Sequence, residues 1–232
     1  MEQEDTRMKK EHLPAILLFG GLWGFSEAIL GDALYSAAVP FSSVYLTVIG
    51  FFLLAVASQF VPHRGGATVI ASLAMLYKFL NVPFFACHLT GIALLGLSFD
   101  LVFGRGSRET HAAVGSIPDN RQSLRVAGLK AVLACYLGHA LFFFAMIFVF
   151  RSEFWRGKGI GGFWQHVGVG GSLAAAGCAL AVPVGLALGR RLRERVSGSA
   201  PLRLQPRLVG TFTTILTVGL WAWGMAAKWR NG

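Results

Sequence analysis

Apolar residues in this chain come in blocks, not in alternation. Stretches of Leu, Phe, Val, Ala and Gly are separated by short segments that hold nearly all the Lys and Arg. The blocks run from Leu13 to Gly31, Phe41 to Val61, Ala67 to Val82, Phe84 to Phe103, Leu124 to Phe150, Phe163 to Gly189 and Leu208 to Ala227. About 20 apolar residues carry a helix across roughly 30 Å of hydrocarbon, and a helix satisfies its own backbone where there is no water to do so. A transmembrane barrel would show polar–apolar alternation over strands of about 10 residues, and the sequence has no such run. The blocks predict an all-α fold, a polytopic transmembrane helix bundle of six to seven spans over residues 13–227. A charged tail (residues 1–12) precedes it and a short tail (228–232) follows. The third block is short and carries Lys78, so it is expected to be tilted, re-entrant or buried behind its neighbours.

Composition agrees with the pattern. Hydrophobic residues make up 54% of the chain and charged residues 14%, against about 25% charged in soluble domains. The net charge of +10 raises the question of nucleic acid, but the placement of the basic residues answers it differently. With the N-terminus in the cytoplasm, Arg7, Lys9, Lys10, Arg64, Arg105, Arg108, Arg121 and Arg125 fall inside, as do Arg190, Arg191, Arg193, Arg195, Arg203 and Arg207. The outer side keeps Lys78, Arg151, Arg156, Lys158, Lys228 and Arg230. This is the positive-inside bias of an integral membrane protein, suited to an anionic inner leaflet, and no nucleic-acid partner is expected. The first block exceeds the h-region of a cleaved signal peptide. Cys87, Cys135 and Cys178 lie inside predicted spans without CxxC spacing, which supports neither a disulfide framework nor a zinc site; no metal or cofactor is expected. Between Arg151 and Gln165, Phe154, Trp155, Phe163 and Trp164 alternate with basic residues, the composition of a turn lying at the headgroup interface.

Small residues recur every fourth position in two blocks: Gly20, Gly24 and Ala28 in the first, and Gly177, Ala181, Gly185 and Gly189 in the sixth. Such stripes let helices approach closely in lipid. The second is expected to pack within the bundle; the first could serve the bundle or a partner. Ionisable residues at membrane depth are the sharpest functional signal, because burying one costs roughly 2.5–3.5 kcal/mol without a partner or cavity. Glu27, Lys78, His88 and His139 fall at similar predicted depth in the outer half and are expected to line a polar pocket, with Trp23, Tyr35 and Tyr136 available to stack on a ligand. A structural Glu27–Lys78 ion pair is the plainer reading of the same residues. Asp100 and Lys130 belong to the other end, as a pair or as snorkelling side chains. His88 and His139 also admit bis-histidine haem ligation. No GxSxG, HExxH or phosphate-binding loop occurs, so the chain is not expected to be an enzyme.

The first span, FGGLWGFSEAILG, and the fourth, CHLTGIALLGLSFDLVFG from Cys87 to Gly104, together resemble the membrane-embedded substrate-binding (S) components of energy-coupling factor transporters and a related group of bacterial membrane proteins. The resemblance covers the first 150 or so residues. It implies a helix bundle in the bacterial cytoplasmic (inner) membrane that holds a vitamin-like small-molecule solute near its outer face. It further implies a first-helix stripe, here Gly20, Gly24 and Ala28, docked on a transmembrane coupling subunit driven by cytoplasmic ATPases, with residues Asp32 to Ser42 helping to cover the ligand. A seventh span from Leu208 departs from that family's pattern. The alternative is a structural or redox subunit, contacting haem or quinone, within a larger membrane complex.

Overall fold

The computed structural model describes residues 12–78, 86–104 and 121–198, and six positions of the last apolar block. Among the described residues every regular element is helical. The elements are α1 (Leu13–Ser36), α2 (Ser42–Ser58), α3 (Gly66–Tyr77), α4 (Ala86–Phe103), α5 (Arg121–Phe144), α6 (Glu153–Phe163) and α7 (Gly171–Gly198). Two π-helical segments, Ala145–Val149 and Trp164–Gly170, flank α6. The all-α reading of the sequence therefore stands.

The helices close into a ring in the order α1, α3, α4, α5, α7, α2 and back to α1. Sequence neighbours are thus not always ring neighbours, since α1 lies between α2 and α3. The core fills the ring from all sides: Trp23 from α1, Phe51 and Leu54 from α2, Ile70 from α3, Phe99 from α4, and Ala131 and Ala134 from α5. Close approach depends on glycine. An added Cβ at Gly96 of α4 would sit 2.4 Å from the Ala71 methyl of α3, and one at Gly185 of α7 would sit 2.8 Å from the Phe52 carbonyl of α2. At Gly177 and Gly189 it would meet Val48 and Val56 of α2. The second stripe is thus an intramolecular seam.

Three helical runs are long and apolar enough to cross a membrane: Leu13–Ser36, Gln122–Val149 and Glu153–Val196. Their outer faces are apolar too, with Leu129, Phe148, Leu180 and Val184 at 60–75% exposure. A helix hydrophobic on all sides belongs in a large core or in lipid, and this ring has no second protein layer among the described residues. The remaining ring helices are shorter. At about 1.5 Å per residue, the 12 residues of α3 cover about 18 Å, well short of roughly 30 Å of hydrocarbon.

Several boundaries differ from the sequence reading. The first helix continues five residues past Gly31 to Ser36, and the turn that follows places Ala38 and Phe41 in the left-handed region (φ 50° and 56°). The Arg151–Gln165 connection contains a helix, not a turn; it is broken at Gly159, whose φ of 51° and ψ of −143° a side chain would resist. Four glycines in eleven residues disguised that helix in the sequence. The arginines from Arg190 to Arg195, past the end of the sixth apolar block, extend α7 to Gly198, since Arg and Leu continue a helix readily. Residues 79–85, where the third apolar block gives way to the fourth, lie outside the described residues, as do the N-terminal tail through residue 11, the C-terminal tail and most of the seventh block. The positions described there (Ile215, Val218, Gly219, Ala222, Trp223 and Ala226) are helical and exposed.

Candidate functional site

The ring opens a cavity of about 240 Å³ at the end where α1 leads into α2. Its walls bring together Glu27 of α1, Lys78 at the end of α3, His88 at the start of α4 and His139 of α5. Four separate helices thus deliver the ionisable residues that the sequence placed at similar depth.

Glu27 and Lys78 are buried against each other. The Lys78 ammonium stands 3.4 Å from Glu27 Oε2 and donates to the Glu27 backbone carbonyl at 2.8 Å. Gly31, one turn further along α1, makes room for it: a Cβ there would lie 3.3 Å from Lys78 Nζ. The ammonium is therefore held by both the side chain and the backbone of one residue, and two buried charges offset one another in a medium that penalises either alone.

His139 is fixed from behind. Its Nδ1 lies 3.0 Å from the Cys135 carbonyl, the contact of an Nδ1–H donor, which assigns Nε2 as the acceptor. The Cys135 thiol sits 3.7 Å from the same nitrogen. The nearest ring to His139 is that of His166 in the second π-helical segment, at 5.2 Å between centroids. His166 in turn meets Phe142 at 5.0 Å and Trp155 at 5.1 Å. These rings form an aromatic–imidazole wall contributed by α5, α6 and the segment after it. On the α1 and α4 side, Tyr35 stacks on His88 at 5.4 Å, 19° between planes. His88 and His139 are thus each engaged with a different ring, an arrangement that lends bis-histidine ligation no support. No cluster of three or more His, Cys, Asp or Glu side chains suited to a metal occurs among the described residues.

Trp23 is not in the cavity wall. It is fully buried in the core, its indole lying against Gly50, where an added Cβ would come within 2.7 Å of the ring. Its N–H has no acceptor at hydrogen-bonding geometry, although the Glu27 carboxylate lies four residues on. The sequence gives depth but not face, and Trp23 turns inward where Glu27 turns to the cavity. Tyr136 also leaves the wall, bonding Ser172 at 2.7 Å.

The stripe of Gly20, Gly24 and Ala28 is covered by the chain itself. A Cβ on Gly20 would stand 2.7 Å from the Leu73 side chain, and one on Gly24 would stand 2.4 Å from the Tyr77 ring; Ala28 is buried beside Tyr77. This face of α1 seats α3. At the opposite end, Asp100 does not pair with Lys130. Its carboxylate accepts from the Thr68 N–H at 2.7 Å, the Thr68 hydroxyl at 2.5 Å and the Ala67 N–H at 3.3 Å. It caps the first turn of α3 from a neighbouring helix and meets the positive end of the helix dipole.

His166 and Trp155 are the site residues that sequence reasoning missed. His166 lies just inside the sixth block, outside the set of mid-span charges, and Trp155 reads as an interface residue. The available signal was the stretch from Arg151 to Gln165 itself, too aromatic for a solvated loop.

No family model, characterised protein or solved structure matches the chain. The functional reading therefore rests on the chemistry of the cavity.

Proposed function

We propose that the protein is an integral membrane solute-binding and transport protein of the S-component type, taking up a small organic solute with separate coupling and ATPase subunits. Its lipid setting would be the bacterial cytoplasmic membrane, with the N-terminus in the cytoplasm. One observation carries the reading: Glu27, Lys78, His88 and His139, from four helices, converge on a single 240 Å³ cavity. Such residues are rarely kept at membrane depth except where they pair or serve a pathway, and a concave, mostly apolar site with a few convergent polar groups is the usual form of a small-molecule site. The orientation is supported by Arg64, Arg190, Arg191, Arg193 and Arg195, which lie at the end of the ring away from the cavity. A coupling subunit would meet a surface other than Gly20, Gly24 and Ala28, because α3 occupies that stripe.

Native mass spectrometry of the protein extracted gently from its own membrane tests this. The expected result is a bound small molecule that is retained by wild type and lost from His139→Ala, with the variant still folded. A bound species that survives in His139→Ala and Glu27→Gln alike, or none under any condition of extraction, overturns the assignment of the cavity. Copurification of ATPase subunits tests the transport component separately.

A further inference from the structure

We infer that α6 and the residues around it form a binding surface for anionic phospholipid, with Arg151, Arg156 and Lys158 meeting the headgroup phosphates. This surface is separate from the cavity, and its occupancy does not depend on the solute reading. Level comes first. The 28 residues of α7 span about 42 Å at about 1.5 Å per residue, and a bilayer with its headgroups is about 40–45 Å thick. The helix α6 lies beyond the start of α7, past the second π-helical segment, and so falls at the headgroup level of the leaflet at the cavity end. Its apolar side chains are turned outward: Phe154, Ile160 and Trp164 are 64–80% exposed. A helix that carries Phe and Trp together with Lys and Arg lies in the plane of the interface and favours anionic lipid.

Charge selects the lipid. Between Arg151 and Gln165 there are three basic residues and one acidic residue, Glu153, and all four are exposed. On the proposed orientation this is the outer side, where the positive-inside bias keeps Lys and Arg few. The chain itself supplies no counter-charge for them. None of the three forms an ion pair among the described residues, and the Glu27 carboxylate is taken by Lys78. Residues 79–85 and 199–232 contain no Asp or Glu. The other acidic residues outside the described segments precede Leu13 or fall between Phe103 and Arg121, next to helix ends away from the cavity. A lipid phosphate lies at the right depth and carries the missing charge. The Lys158 ammonium rests 4.4 Å from the Phe154 ring and 5.5 Å from the Trp155 ring. Trp155 also lines the cavity, so one short helix touches both the headgroups and the cavity.

Brominated lipids provide the test, because bromine quenches tryptophan at contact range and Trp164 is the exposed indole of this surface. The full chain is placed in nanodiscs of equal parts phosphatidylcholine and phosphatidylglycerol, with bromine on the acyl chains of one lipid or the other. Trp164→Phe subtracts the signal of the remaining tryptophans. Quenching of Trp164 is expected to show phosphatidylglycerol enriched at least about threefold over phosphatidylcholine. In Arg151→Gln/Arg156→Gln/Lys158→Gln the enrichment is expected to vanish, as it should for wild type at high salt. Equal quenching by the two lipids on wild type overturns the inference; the basic residues then face water or an acidic protein partner. A preference unchanged in the triple variant overturns it as well. A preference abolished by inorganic phosphate, but not by chloride at the same ionic strength, marks a site for free phosphate and overturns the lipid assignment. The wild-type comparison is decisive even if the triple variant does not fold. Failure of the native mass measurement with the lipid preference intact removes the cavity reading alone.

Discussion

Two carboxylates at opposite ends of the ring are used in opposite ways. Asp100 accepts three hydrogen bonds from the first turn of α3, and the void beside it is about 60 Å³. Its charge is consumed by the helix terminus it caps. Glu27 faces one ammonium on the wall of a cavity four times larger. Both residues sit on apolar helices and look alike in the sequence. A buried carboxylate surrounded by backbone donors is architecture; one that shares a cavity wall with its paired cation can be a binding group.

The largest expected effect lies at the cavity end. Glu27→Ala strands the Lys78 ammonium without its carboxylate, and breaking one side of a buried pair costs about 3–5 kcal/mol. Unfolding in mild denaturant should show a large drop, and Glu27→Ala combined with Lys78→Met should recover much of it. If the double variant were as unstable as the single one, the ion pair would not be the source of the loss. Next comes Gly24→Ala, whose methyl meets the Tyr77 ring at 2.4 Å. Overpacking of this kind costs about 1–3 kcal/mol, and shortening the partner in Gly24→Ala/Tyr77→Leu should relieve part of it. Relief would also show that the stripe acts inside the chain.

At the other end, Asp100→Ala is expected to cost about 0.5–2 kcal/mol, the range for losing a helix cap, while leaving cavity affinity within about twofold. Coupling between Asp100→Ala and Glu27→Gln in a double-mutant cycle should stay within about 0.5 kcal/mol, as for distant sites. A larger coupling would erase the distinction between the two ends. The smallest effect is assigned to Lys158→Ala. The ammonium lies over the Phe154 ring at 4.4 Å on an exposed helix, so its removal should change stability by about 0.5–1 kcal/mol at most.

The sequence by itself determined the all-α class, because blocked hydrophobicity leaves the helix as the element that satisfies its own backbone in lipid. It also determined which charges lie deep, since depth follows from counting along a helix, and Glu27, Lys78, His88 and His139 share one cavity for that reason. Face and partner were a different matter. A stripe such as Gly20, Gly24 and Ala28 permits close approach without naming what approaches, and only the ring order, with α3 beside α1, decided that it was Leu73 and Tyr77. Trp23 and Glu27 are one turn apart, yet one fills the core and the other the cavity wall. Asp100 found its partner 32 residues back in the chain, and His166 entered the wall through a broken, glycine-rich helix. Periodicity along one helix carries no information on which neighbour it meets; that follows from how all six ring helices close at once.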